Sequence, residues 1–161
     1  DSPWGIDVNP ETNKVYVANR NTMNISIIDG DTNKVETFPV DSNPINISPT
    51  IVSVNHYVNM IYVSNTSNVI NIINGSNNIP TNSIQVGQSI IGMEVDHDRN
   101  ILYLVDNSLD SLLVVNINTG NVIGSIDVGK YPLMIAYNEK TGFLYVSNEY
   151  SNSISVIKPE F

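Results

Sequence analysis

The chain has 161 residues, no cysteine, and sixteen Asp and Glu against seven Lys and Arg, for a formal charge of −9. The missing cysteine excludes disulfides, a thiol nucleophile, iron–sulfur clusters and cysteine zinc sites, and the acidic balance argues against nucleic acid and anionic lipid as partners. No apolar run approaches the ~18 residues that a membrane span needs.

Ile and Val together make roughly a quarter of the chain, whereas alanine occurs only at Ala18 and Ala136. β-Branched residues suit a pleated surface, no helical stripe of useful length occurs, and Asn, Ser, Gly, Pro and Asp punctuate the apolar runs. The chain is read as all-β.

In chain order, the first strand ends at Val8-Asn9 and the second is Lys14–Asn19; Ile25–Ile28 and Val35–Val40 follow. The second set runs through Val54-Asn55, Met60–Asn65, Val69–Ile73 and Ile84–Val86. The third runs through Val95-Asp96, Ile101–Asp106, Leu112–Val115 and Val122–Val128, and the fourth through Tyr137-Asn138, Phe143–Asn148 and Ile154–Ile157. The aligned tyrosines Tyr16, Tyr62, Tyr103 and Tyr145 recur at intervals of 46, 41 and 42 residues. Four short strands in ~42 residues match the period of a β-propeller blade. Each meander has two apolar faces, and stacking blades face to face buries both. The expected blades are 1–43, 44–88, 89–130 and 131–161, the last lacking its outer strand.

The segments Tyr16-Val17-Ala18-Asn19, Tyr62-Val63-Ser64-Asn65 and Tyr145-Val146-Ser147-Asn148 resemble the Tyr-Val-Thr-Asn (YVTN) β-propeller repeat. So do the flanks Pro3–Pro10, Asn24–Val35 and Val128–Pro132. Repeat three departs with Leu104-Val105-Asp106, and repeat two with Ser48-Pro49-Thr50 and its greater length. The resemblance implies a surface-layer-like or secreted protein, hence an extracellular or cell-surface location, and a ring of about seven blades. Related propellers include streptogramin lyases, lactonases and haem- or quinone-linked subunits, so fold alone leaves function open. Asp1-Ser2-Pro3 aligns with Asp41-Ser42-Asn43-Pro44 and Gly129-Lys130-Tyr131-Pro132. The chain is therefore expected to start at a blade boundary, to be part of a longer ring, and to self-associate through its open edges.

In propellers the loops joining strands two and three share one face with the joins between blades. That face gives the candidate binding residues: Trp4, Arg20, Asn21, Asn65, Asp106, Asn107, Asp110, Tyr131, Asn148, Glu149 and Tyr150. Trp4 and Tyr131 each lie beside a proline, and their amphipathic rings suit contact with a protein or glycan.

Other motifs have structural readings. His56 and His97 occupy one turn position in adjacent repeats and are expected on the opposite face. Asp29–Asn33 and Asp96–Asn100 alternate oxygen side chains as a calcium loop does, yet lack its distal Glu; hairpin turns use the same residues. Asp7 and Glu94 share one position of the innermost strand and read as solvated channel lining. Asn24, Asn46, Asn65 and Asn74 head N-glycosylation patterns, which an Asn- and Ser-rich chain supplies by chance. No catalytic residue, metal or cofactor is assigned. The expected function is a non-catalytic binding scaffold; the alternatives are a lyase- or lactonase-type enzyme, in which a base must reach its substrate within ~3 Å, and a purely structural envelope protein.

Overall fold

The structure is a computed structural model that describes residues 1–41 and 48–160. The aligned Ser42-Asn43-Pro44, the pattern headed by Asn46, and Phe161 lie outside the described residues.

Among the described residues, fifteen strands form four antiparallel sheets in sequential meander order. Blade 1 holds β1 (Pro3–Asn9), β2 (Lys14–Asn19), β3 (Asn24–Asp29) and β4 (Val35–Pro39). Blade 2 holds β5 (Pro49–Asn55), β6 (Met60–Asn65), β7 (Val69–Asn74) and β8 (Ile79–Gln85). Blade 3 holds β9 (Ile90–Asp96), β10 (Ile101–Asp106), β11 (Ser111–Asn116) and β12 (Asn121–Asp127). Blade 4 holds β13 (Pro132–Asn138), β14 (Phe143–Asn148) and β15 (Ser153–Ile157). The fourth strand of blade 2 begins five residues before the expected Ile84. Pro80 sits inside it, opposite Ile73 beside a register shift, and an outermost strand tolerates a proline because one side of its ladder needs no partner.

One device builds most of the hairpins. An Asn or Asp ends a strand and its side-chain oxygen accepts backbone N–H groups two or three residues on. Asn9 takes Glu11 and Thr12, Asn55 takes Tyr57 and Val58, and Asp96 takes Asp98 and Arg99. Asp29, Asn74, Asn116 and Asn138 act in the same way. Four residues after each of these seven stands a left-handed residue: Asn13, Asn33, Asn59, Asn78, Asn100, Gly120 or Gly142. Asn tolerates that conformation better than most side chains, and Gly adopts it freely. The abundance of asparagine follows from turn chemistry, and both calcium-like stretches are such turns.

The chain divides into two units, Asp1–Gln85 and Val86–Phe161. In the first, Tyr16, Ala18, Ile25 and Ile27 of blade 1 share a core with Val52, Val54, Ile61 and Val63 of blade 2. In the second, Tyr103, Val105, Leu112 and Val114 of blade 3 share a core with Leu144 and Val146 of blade 4. Each unit therefore repeats one rule. The sheet face that carries the aligned tyrosine of one blade packs on the opposite face of the next, which is rich in Val and Leu.

The innermost strands reveal a two-blade super-repeat. Gly5 and Gly92 are equivalent, and so are Ile51 and Met134 one blade later. A Cβ on Gly5 would lie 2.5 Å from the Thr50 carbonyl oxygen, and one on Gly92 would lie 2.9 Å from that of Leu133. The next innermost strand passes that closely only because these positions have no side chain. Asp7 departs from the expected solvated lining: its Oδ2 accepts the Val54 N–H at 2.8 Å, joining blades 1 and 2. In the second unit the Tyr137 hydroxyl donates to Asp96 at 3.1 Å, joining blades 3 and 4. Among the described residues no helix is long and apolar enough to cross a membrane.

Candidate functional site

The loops between second and third strands are clamped to the entry of the innermost strand in all four blades. Arg20 N donates to Ser2 O, Thr66 N to Ser48 O, Asn107 N to Ser89 O and Glu149 N to Tyr131 O, each at 3.0–3.1 Å. These loops and the blade joins therefore share one end of each blade, as expected.

Within that end the candidate residues divide into two sets. Asn65, Asp106 and Asn148 are buried and hold their own loops. Asn65 Oδ1 accepts the N–H groups of Ser67 and Val69, while its Nδ2 donates to Asn71 Oδ1 at 3.0 Å. Asn148 Nδ2 donates to the hydroxyls of Ser153 and Ser155. Asn19 does likewise with Asn24 and Ser26. Repeat three breaks the pattern twice, and the two departures fit each other. Asp106 has no amide to donate, and Leu113 replaces the acceptor that Ser26, Asn71 and Ser155 supply elsewhere.

Asp106 instead accepts from Ser108 N and Oγ and, at 2.7 Å, from Gln88 N. Burial pushes its carboxyl upward, but these hydrogen bonds outweigh that effect and hold it below the usual carboxylate range. A depressed folded-state pKa contributes stability that is present above about 3.9 and is lost as pH falls through the lower folded value. Asp106→Asn is expected to show a shallower loss of stability than wild type between pH 5 and 2, measured by denaturant titration at each pH.

The second set remains accessible. In the first unit Trp4 is 65% exposed, with the Arg20 guanidinium 5.1 Å from its ring centroid. It is a surface residue. Asn21 lies beside them, exposed, with its N–H 3.4 Å from Asp1 O.

In the second unit the rings of Tyr131 and Tyr150 stack at 4.3 Å with a 10° interplanar angle. Tyr150 is 69% exposed. Tyr131 occupies a left-handed conformation (φ 53°) directly before Pro132, an unfavourable place for a bulky residue. Asp110 braces it: one carboxylate oxygen accepts the Tyr131 N–H at 2.8 Å and the other accepts Lys130 Nζ at 2.7 Å. The Lys130 ammonium and the Tyr131 N–H hold the Asp110 carboxyl low, and Asp110 raises the Lys130 ammonium. Lys130 N donates to Ser151 Oγ, so the join and the β14–β15 loop are tied together. A shallow open depression in the same blade is lined by Leu133, Ser147, Asn148, Glu149, Asn152, Ser153 and Ile154. The other three blades carry Ser2, Ser48 and Ser89 where blade 4 has Tyr131. Asn107 lies in the neighbouring β10–β11 loop of this unit, bonded through its N–H to Ser89.

The histidines lie in the hairpins between first and second strands, at the other end of the blades. His97 Nε2 is 2.9 Å from Glu139 Oε1. His56 stacks edge-on against Tyr57 at 4.5 Å.

No family model matches the chain, and no curated protein matches it. Among solved structures it is similar to Kuenenia stuttgartiensis hydrazine synthase, with a TM-score of 0.78 and 17% identity over 98% of this chain and 49% of that one. It is similar also to the structure of U3-55K, with a TM-score of 0.72 and 11% identity over 99% of this chain and 53% of that one. The fold is that of a β-propeller. At such identities the likeness carries the fold and nothing of the chemistry, and the chain spans about half the length of each of these structures.

Proposed function

We propose that the chain is a non-catalytic binding scaffold of the YVTN-repeat type, from a secreted or cell-surface, surface-layer-like protein, and that its partner is a glycan held at the loop end of blade 4. The observation that carries this reading is the Tyr131–Tyr150 stack, braced by Asp110 and Lys130, in a blade whose open depression is lined by Glu149, Asn152 and Ser153. A sugar ring offers a flat patch of C–H groups edged by hydroxyls. An exposed phenol ring supplies the matching flat apolar surface, and neighbouring carboxylate, amide and hydroxyl groups receive the rim. Fixing the rings beforehand lowers the ordering cost of binding. The repeat resemblance supports the surface location. Binding rather than turnover is supported by the engagement of His97 with Glu139 at the far end of the strands.

The test is a glycan array followed by titration calorimetry on the best ligand. Tyr150→Ala is expected to weaken binding tenfold or more, about 1.4 kcal/mol, without loss of the β-sheet signal in circular dichroism. Equal affinity in the variant overturns the assignment.

A further inference from the structure

A second polar site lies in the first unit, at the hairpin end of blade 1, on the face that packs against blade 2. Its charges come from cross-strand rows. Lys14 on β2 stands opposite Asp29 on β3, whose N–H donates to the Lys34 carbonyl, and Ile27 stands opposite Glu36 on β4. Cross-strand partners share a sheet face, so these side chains project on the side of Tyr16. With Asn78 from the β7–β8 hairpin of blade 2 they line a depression of about 190 Å³, below the ~300 Å³ at which sites for drug-sized ligands begin. Two of the chain's seven basic side chains meet here, and neither is neutralised. Asp29 is turned into its own hairpin, where one carboxylate oxygen accepts both the N–H and the hydroxyl of Thr32. Among the described residues Lys14, Lys34 and Glu36 enter no ion pair. Asn78 is held left-handed (φ 59°) with its N–H on Asn74 O at 2.7 Å, and its Oδ1 is buried without a hydrogen-bond partner. A buried acceptor of that kind calls for a donor. The equivalent positions of blade 3 are Ile101, Asn116, Asn121 and Gly124, all uncharged, so the blade fold does not require these charges.

We propose that this depression binds a small free α-amino acid. The ammonium groups of Lys14 and Lys34 receive its carboxylate, the Glu36 carboxylate and Asn78 Oδ1 receive its ammonium, and a short side chain rests on buried Ile27. The balance of charge selects this class. Two lysines against Asp29 and Glu36 leave the lining neutral, and a chain of charge −9 repels simple anions. A lone anion leaves Glu36 and Asn78 Oδ1 unmet, and a lone cation leaves the lysines unmet. A zwitterion answers both sets with charge-assisted hydrogen bonds and adds no net charge. The site lies in the other unit from Tyr131 and Tyr150 and does not rest on the glycan reading. Exposed ion pairs each add little, so the test must register weak binding.

Amide chemical shifts of the isotopically labelled 161-residue chain provide it, on titration with L-alanine. Propionate, which lacks the ammonium, and ethylammonium, which lacks the carboxylate, are titrated in parallel. L-Alanine is expected to give saturable shifts at 14, 27–36 and 78 and to bind at least about tenfold more tightly than either comparison compound. Lys34 and Glu36 are exposed, and circular dichroism checks that their variants fold. Lys34→Gln is expected to abolish the preference for L-alanine over ethylammonium, and Glu36→Gln the preference over propionate. The absence of saturable shifts at these residues, equal affinity for all three compounds, or an unchanged preference in either variant overturns the proposal and leaves an ordinary solvated patch. The comparison of the three compounds needs only the wild-type chain, so it decides the matter even where a variant fails to fold.

Discussion

Gly5→Ala is expected to destabilise the first unit by about 1–3 kcal/mol, the usual cost of forcing an extra carbon into a packed site. The added Cβ would lie 2.5 Å from Thr50 O and 2.8 Å from Ile51 Cα, and both are backbone atoms of the adjoining innermost strand. No rotamer change relieves such a clash, so β5 must move away from β1. That movement loosens the shared core of Tyr16, Ile25, Val52 and Val54 and lengthens the Asp7–Val54 hydrogen bond. Gly92→Ala is expected to cost less, since its nearest backbone atom lies at 2.9 Å. Gly142→Ala meets no neighbour within 4 Å, and its penalty comes from φ alone, about 1–2 kcal/mol. The order Gly5 above Gly92 is read from denaturant midpoints followed by far-ultraviolet circular dichroism. Fluorescence is the poorer probe because Trp4, the only tryptophan, is already exposed.

The second large effect is at Asn65. Asn65→Leu removes a buried side-chain oxygen that accepts two backbone N–H groups, and the amide that donates to Asn71. A buried group left without its partner costs about 1–3 kcal/mol, and the expected loss is about 2–4 kcal/mol. Repeat three supplies the control. Asn65→Asp combined with Asn71→Leu copies the Asp106 and Leu113 pair, in which a carboxylate caps the loop and nothing opposite needs an amide. The double variant is expected to be less destabilised than the sum of its single changes. A double-mutant cycle measures that coupling directly, and simple additivity would show that the two positions act independently.

These two effects mark where sequence reading succeeded and where it stopped. The Tyr-Val-x-Asn cadence, with its Tyr-Leu-Val-Asp variant in repeat three, located every second strand, because an aligned tyrosine on one face and a terminal Asn or Asp are enough to set period and register. The role of that Asn was not legible. An amide beside polar loop residues looks the same whether it faces a ligand or folds back on its own turn, and only burial separates Asn65 and Asn148 from exposed Asn21. The alternation of Gly5 and Gly92 with Ile51 and Met134 was visible in the aligned repeats. Its meaning required the distance to the next strand. Tyr131 and Tyr150 were both singled out, but separately. They stack because the Glu149–Tyr131 clamp brings a loop and a blade join together, and no local spacing announces that.

The central claim is that this rigid fold presents one binding surface at the loop end of blade 4. Residue-by-residue mapping of amide chemical shifts, on titrating the isotopically labelled chain with the best glycan from the array, tests it most directly. The shifted amides are expected to cluster in 106–110, 129–133 and 148–154, with the His97 and Glu139 hairpins unmoved. Perturbations centred on those hairpins, or spread evenly along the strands, would contradict it.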